Sequence, residues 1–326
     1  MFPDLLPVEM TETQRKAALE HPRAGTRTAP VPVVLDTDAK NEIDDQFAIA
    51  YTLLSPALQC EAIYAAPFAK PEYPSAAAGM EASYVEIQNV LSKMPDIEPP
   101  PVWRGSTAFL TETGRPCESA AALDLIERAA ACRARGARLY VVAIGALTNV
   151  ASALLLRPEI ARDITVLWLG GQPEYWPHTD EFNLSGDVAA SQVVLDIGVP
   201  LVRFPCKNVA EHVRSVPAEI RKYVEPCGEL GAYLARIFCD FIPGRVRSKV
   251  IWDIVPVAWL NNPAWVPTEV RPTPRLRADR SWDLSDLARP PYRVAVDAYR
   301  DPILLDLVEK LEKFAGREAD QEEGSR

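Results

Sequence analysis

Short apolar runs alternate with longer helical segments through the first two thirds of the chain, and this alternation constrains the fold most. The runs "VPVVL" (31–35), "CEAIYAA" (60–66), "RLYVVAIG" (138–145), "DITVLWLGG" (163–171) and "PLVRFP" (200–205) are strand-length and rich in branched residues. A shorter one, "PPPVWRGS" (99–106), ends in a glycine turn. Between them lie segments with helical spacing at 44–54, 76–94, 120–135, 147–156 and 188–198, and a final strand (292–296) and helix (302–314) close the chain. Such an order predicts βαβ units: an α/β fold with an open, mostly parallel sheet, a Rossmann-like core and helices on both faces. Ligands of such sheets bind beyond the carboxyl ends of the strands. Polar stretches stand at three of those ends: "DTDAKNEIDD", "AIGALTN" and "GGQPEYWPHTDEFN".

Composition narrows the class. The 326 residues are 48% hydrophobic and 25% charged, enough for a full core. Acids outnumber bases 45 to 35, a net charge of −10 that disfavours nucleic acid or anionic membranes as partners. No apolar run approaches the length of a membrane span, and the N-terminal stretch lacks the basic and apolar regions of a signal peptide, so a cytoplasmic protein is expected. Six cysteines without a CxxC pair read as reduced thiols. The expected organisation is an N-terminal extension (1–30) with one short helix at Glu12–Leu19, a single domain (31–315) and a disordered polar tail (316–326), with 270–291 as a surface loop.

The stretch "DTDAKNEIDD" (36–45) packs five carboxylates into ten residues, with Lys40 the one basic residue among them. Clustered acids need a cation, arginines or protonation. A hard divalent cation such as Ca²⁺ takes six to eight oxygen ligands and suits this set, whereas zinc would call for histidine or cysteine. The plainer alternative makes Asp36 and Asp38 a turn and Asp44 a helix N-cap. Asp253 lies in the apolar stretch "KVIWDIVPVAWL" (249–260), where an acid needs a metal or hydrogen-bonded partner unless it, too, is an N-cap.

Together, "VVLDTDAKNEIDDQFAIAY", "VVAIGALTNVASALLLRPEI", "LWLGGQ…EFNLSGDVAASQVVL" and "WDIVPVAWL" resemble, in order and spacing, the inosine–uridine-preferring nucleoside hydrolases over roughly residues 31–310. The resemblance implies Ca²⁺-dependent hydrolysis of the N-glycosidic bond of ribonucleosides by a homodimer or homotetramer acting on a small-molecule nucleoside. It implies Asp38, Asp45, Asp253 and the backbone carbonyl of Thr148 as metal ligands, with Asp38 also the general base. It places Asp44 on ribose hydroxyls, Glu181 and Asn183 on the opposite side of the sugar, and Asp36 as a supporting carboxylate.

The chain departs from the family pattern at three points. The loop, usually D-x-D-P-G-x-D-D, is two residues longer and lacks Pro and Gly; Asn41 or Glu42 either adds a sugar contact or reshapes the turn. Trp252 stands where the family often has histidine; it cannot protonate a leaving base but can stack on one. "APF" (66–68) replaces the family's "GN", removing a sugar-binding amide. His178 is a substitute acid or a plain loop residue, and Tyr175 and Trp176 wall the base or simply pack. Hydrolysis of another ribosyl or glycosyl substrate, or Ca²⁺-dependent sugar or nucleoside binding without catalysis, are the alternatives.

Overall fold

The apolar runs form strands because both of their faces are covered. The computed structural model describes residues 7–22, 29–244 and 246–324. Its strands are β1 (Val31–Thr37), β2 (Leu58–Ala65), β3 (Val102–Arg104), β4 (Leu139–Ala143), β5 (Ile164–Leu169), β6 (Leu201–Phe204), β7 (Arg214–Ser215), β8 (Lys249–Val250), β9 (Thr268–Pro272), β10 (Arg275–Leu276), β11 (Trp282–Asp283) and β12 (Pro291–Ala295). The helices are α1 (Glu12–Leu19), α2 (Asp45–Leu53), α3 (Ala76–Leu91), α4 (Leu110–Thr113), α5 (Ala120–Ala134), α6 (Thr148–Leu156), α7 (Phe182–Gly186), α8 (Val188–Asp196), α9 (Pro217–Glu219), α10 (Gly228–Phe241), α11 (Ile254–Asn261) and α12 (Arg300–Gly324). Among the described residues no helix is long and apolar enough to cross a membrane.

Eight strands form one sheet in the order β3-β2-β1-β4-β5-β6-β12-β9, parallel throughout except for the β12–β9 pair. The open α/β sheet expected from the sequence is therefore present. Every residue of β1, β4 and β5 is buried, which is why these strands show no polar–apolar alternation. One core cluster gathers Phe47, Phe204, Phe238 and Trp259 on one face; the other gathers Leu125, Leu154, Trp168 and Val194 on the opposite face. Strand order reverses between β1 and β4, and a crevice opens at such a switch point beyond the carboxyl ends.

Several elements differ from the sequence reading. β9 falls partly in the stretch expected to be a surface loop and pairs antiparallel with β12, Thr268 opposite Ala295. Its proline and charged residues fit a sheet edge, where one side of the backbone needs no partner. Helix α10 has no counterpart in that reading, although Leu230, Tyr233, Leu234 and Phe238 recur at helical spacing and are buried. α12 continues to Gly324 through the polar segment set apart as a tail, a segment rich in the helix formers Glu, Ala and Gln. Residues 325–326, and 1–6 and 23–28 of the N-terminal extension, lie outside the described residues.

The extension docks at the amino ends of the strands. Val8 N donates to Ile197 O at 2.7 Å, Arg15 Nη2 to Gly198 O at 3.0 Å and Thr165 Oγ1 to Ala18 O at 2.9 Å. α1 itself carries a capping box between Thr11 and Gln14. At the opposite end, the backbone of Phe68 runs against α3 where only glycine fits: a Cβ on Gly79 would lie 1.9 Å from Phe68 O. Gly79→Ala should lower unfolding stability by about 1–3 kcal/mol, read as a reduced denaturant midpoint at unchanged slope.

Candidate active site

The carboxylate loop grows directly out of β1. Asp36, still in the strand, accepts Asn149 Nδ2 at 2.8 Å, which ties β1 to the start of α6. Asn41 N bonds Asp38 O at 2.7 Å, tightening the turn. Lys70 Nζ donates to Asn41 O at 2.7 Å, and the Lys40 ammonium pairs with buried Glu86 of α3 at 3.0 Å. Gln46 Nε2 joins Glu86 at 3.2 Å and Ala39 O at 2.7 Å. The longer loop is thus held from outside by α3 and the segment before it. Behind it Gly145 makes room: a Cβ there would stand 3.2 Å from Asp38 Cγ.

Asp44 and Asp253 occupy the N-cap positions of α2 and α11, yet neither side chain makes a capping hydrogen bond. Both line a cavity of about 220 Å³ beyond β1 and β4, together with Asp38 and Asp45. Oxygens of Asp44, Asp45 and Asp253 lie within 4.8 Å of one another, and all four aspartates are buried. Thr37 Oγ1 donates to Asp45 Oδ1 at 2.5 Å. Asp38 stands outside the triad, and its Oδ2 is buried without a hydrogen-bond partner.

Proximity without water is costly for like charges. Burial pushes the Asp36 carboxyl up to about 7, against the pull of Asn149. Burial, then the charges of Asp45 and Asp44, hold Asp38 well above the usual carboxylate range. Burial and then Asp44, Asp45 and Asp38 do the same to Asp253. Asp45 is raised by burial and by Asp44, with Thr37 and Asp253 opposing through hydrogen bonds.

One cation of the chain answers part of this. Lys249 Nζ is buried, 3.3 Å from Asp44 Oδ1 and 2.5 Å from Glu42 Oε2. Burial works against its charge, but Asp44 and Glu42 more than compensate and raise its pKa. Trp252 N donates to Asp44 Oδ2 at 3.1 Å, so both oxygens of Asp44 are fixed.

The facing wall comes from the loop after β5. Glu181 Oε2 accepts Gly171 N at 2.8 Å and Leu184 N at 3.1 Å, and its Oε1 accepts Asn183 N at 3.0 Å. Asn183 Nδ2 reaches the ends of β4 and β5, donating to Ile144 O at 3.1 Å and Leu169 O at 3.0 Å. Gly171 is in the left-handed region at φ 67°, and a side chain there would meet Thr179 Oγ1. Gln172, Cys206, Lys207 and half-buried Trp252 complete the lining. Burial, then Glu181, pushes the Cys206 thiol far up, which keeps it protonated.

Of the residues singled out from sequence, Asp38, Asn41, Asp44, Asp45, Glu181, Asn183, Trp252 and Asp253 line one cavity. Asp36 lies beneath it in β1. Thr148 is fully buried at the start of α6, its hydroxyl on Asp187 Oδ2 at 2.9 Å. His178 is exposed and away from the lining, and Tyr175 and Trp176 pack edge-to-face on each other outside it. The sequence reading missed Lys249, Gln172, Cys206 and Lys207. Lys249 carried a signal, a charge heading the apolar stretch that holds Asp253; Cys206 and Lys207 follow a strand end, where site residues belong.

The donor set is hard: carboxylate oxygens, one of them buried and unpaired, with a protonated thiol and no histidine among the lining residues. It suits an oxygen-seeking divalent cation. The crevice at the switch point of the open sheet thus sets an acidic cluster against a wall of backbone and side-chain amides. A profile of the family described as "Inosine-uridine preferring nucleoside hydrolase" matches residues 33–301, and the chain belongs to that family of N-glycosidic-bond-cleaving enzymes. It is similar to the pyrimidine-specific ribonucleoside hydrolase RihA of Klebsiella pneumoniae, 23% identical over 72% of this chain and 80% of the relative. It is also similar to a probable uridine nucleosidase 2 of Arabidopsis thaliana, 29% identical over 50% of this chain and 49% of that one. Among solved structures, an inosine-guanosine nucleoside hydrolase superposes with a TM-score of 0.70 at 18% identity, over 87% of this chain and 99% of the other.

Two consequences are measurable. Lys249→Met strands Asp44 in a buried setting and should cost about 2–4 kcal/mol of stability, whereas Glu42→Gln, at a half-exposed partner, should cost under about 1 kcal/mol. The raised carboxyls also set a pH trend. The cation-free fold keeps on Asp45, as on Asp36, protons that the unfolded chain loses between the ordinary aspartate value and about 7, so its stability falls as pH rises through that window. An added divalent cation takes the place of those protons. Its stabilising shift in melting temperature should be larger at pH 8 than at pH 5, and equal shifts would contradict the account.

Proposed function

We propose that the protein hydrolyses the N-glycosidic bond of ribonucleosides in this cavity, with Ca²⁺ held by Asp38, Asp45, Asp253 and the carbonyl of Thr148. The observation that carries the reading is the convergence of four buried aspartates, one with an unpartnered oxygen, opposite Glu181 and Asn183. Bound Ca²⁺ would acidify water and grip the vicinal hydroxyls of a ribose.

The remaining work belongs to the chain. Asp38 takes the proton of the attacking water; its Oδ2 is buried without a hydrogen-bond partner and is free to accept it. Asp44, fixed by Lys249 and the Trp252 amide, accepts from a sugar hydroxyl. Asn183 has its amide nitrogen committed to two carbonyls, which leaves its Oδ1 to accept from the far side of the sugar. The carboxylates on both walls stabilise the positive charge of an oxocarbenium-like transition state. The half-buried ring of Trp252 offers a face for the base.

Reducing-sugar release from a panel of ribonucleosides should vanish with chelator and return with Ca²⁺. Asp38→Asn should lower kcat by roughly 10²–10⁴-fold with a smaller change in KM. Nucleoside binding that persists without release in wild type and variant alike would instead mark a Ca²⁺-dependent binding protein.

A further inference from the structure

The sugar cavity has an apolar neighbour. A second cavity, of about 510 Å³, shares two residues with it, Glu181 and Phe182. Its other walls include Pro67, Phe68, Ala69, Phe109 and Ala146. Phe182, at the head of α7, is 44% exposed, an unusual state for a phenylalanine beside an active site. The polar side chains of this cavity already have partners. Ser185 Oγ donates to Asp180 Oδ1 at 2.5 Å, and Asp180 pairs with Arg280 at 3.1 Å. Glu181 gives its oxygens to three backbone amides. What remains for a ligand is mostly aromatic and aliphatic surface, which rewards apolar area and offers little to a charged or hydroxyl-bearing group.

The sequence after β2 agrees. It runs Ala66, Pro67, Phe68, with no side-chain amide or hydroxyl among them, and Pro67 and Phe68 wall this cavity.

The geometry of a ribose connects the two. In the proposed site, a ribose with its 2′- and 3′-hydroxyls on the aspartate side and its base on Trp252 would turn its 5′-carbon toward the shared Glu181–Phe182 wall. Resting on the hydrolase reading above, we infer that the second cavity is a subsite for an apolar substituent on the 5′-carbon, so that the preferred substrates are 5′-deoxy-5′-thioether ribonucleosides rather than those with a free 5′-hydroxyl. Phe182 and Phe68 flank the alkyl group, and sulfur against aromatic edges is itself favourable.

The experiment compares kcat/KM for uridine and inosine with that for their 5′-deoxy-5′-methylthio and 5′-deoxy-5′-butylthio analogues, with Ca²⁺ present. The thioethers should be preferred by roughly 10–200-fold, the range for filling an apolar pocket. Ala69→Asp puts a carboxylate into the second cavity alone, at an exposed position the fold tolerates, and should bring the ratio of thioether to parent close to one. Thioethers cleaved no faster than the parent nucleosides would overturn the subsite. Equilibrium binding of the same compounds, by calorimetry, separates the two readings. Tighter thioether binding, sensitive to Ala69→Asp but without turnover of any nucleoside, would keep the subsite and reject the hydrolase. Neither turnover nor preferential binding would reject both.

Discussion

The structure depends on a repulsion. Four aspartates are buried within one small cavity beyond the end of β1, and among the described residues a single buried ammonium faces them. Water cannot screen them, and one lysine cannot neutralise them. The fold is tolerable because everything around the cluster is rigid: a fully buried strand beneath, Gly145 behind, and α3 gripping the loop through Glu86. Such a site stores electrostatic energy that a bound cation would release, which would couple folding to the ion.

Two helices that open on the site forgo a side-chain cap. α1, α3 and α5 are capped by Thr11, Ser75 and Ser119. α2 and α11 begin at the cavity with Asp44 and Asp253 in the cap position and no side-chain cap, whereas α7 is capped there by Glu181. Stability worth about 1 kcal/mol per cap has been left out where side chains are needed for something else. The positive ends of these helices still favour the carboxylates gathered there.

The order of elements was legible because it is a local pattern: strand-length apolar runs, helix-length amphipathic ones, polar residues at their junctions. The acidic half of the site was legible for the same reason, since Asp36, Asp38, Asp44 and Asp45 are neighbours in the chain. Lys249 was not, because its partner Asp44 lies 205 residues away and nothing local says that the two meet. His178 looked eligible by composition alone, and the direction its loop takes after β5 leaves it exposed. The edge strand β9 was hidden by its proline and charges, which mark a loop and a protected edge equally well.

The N-terminal helix fastens to the amino ends of β5 and β6, while the cavity opens at the carboxyl ends of the same sheet. A strand of six residues spans about 20 Å, so the two lie a sheet's height apart. The molecule therefore offers a handle remote from its chemistry. A fluorophore or surface tether attached near Glu12 would label the protein, or hold it on a support, with the mouth of the cavity turned away from it.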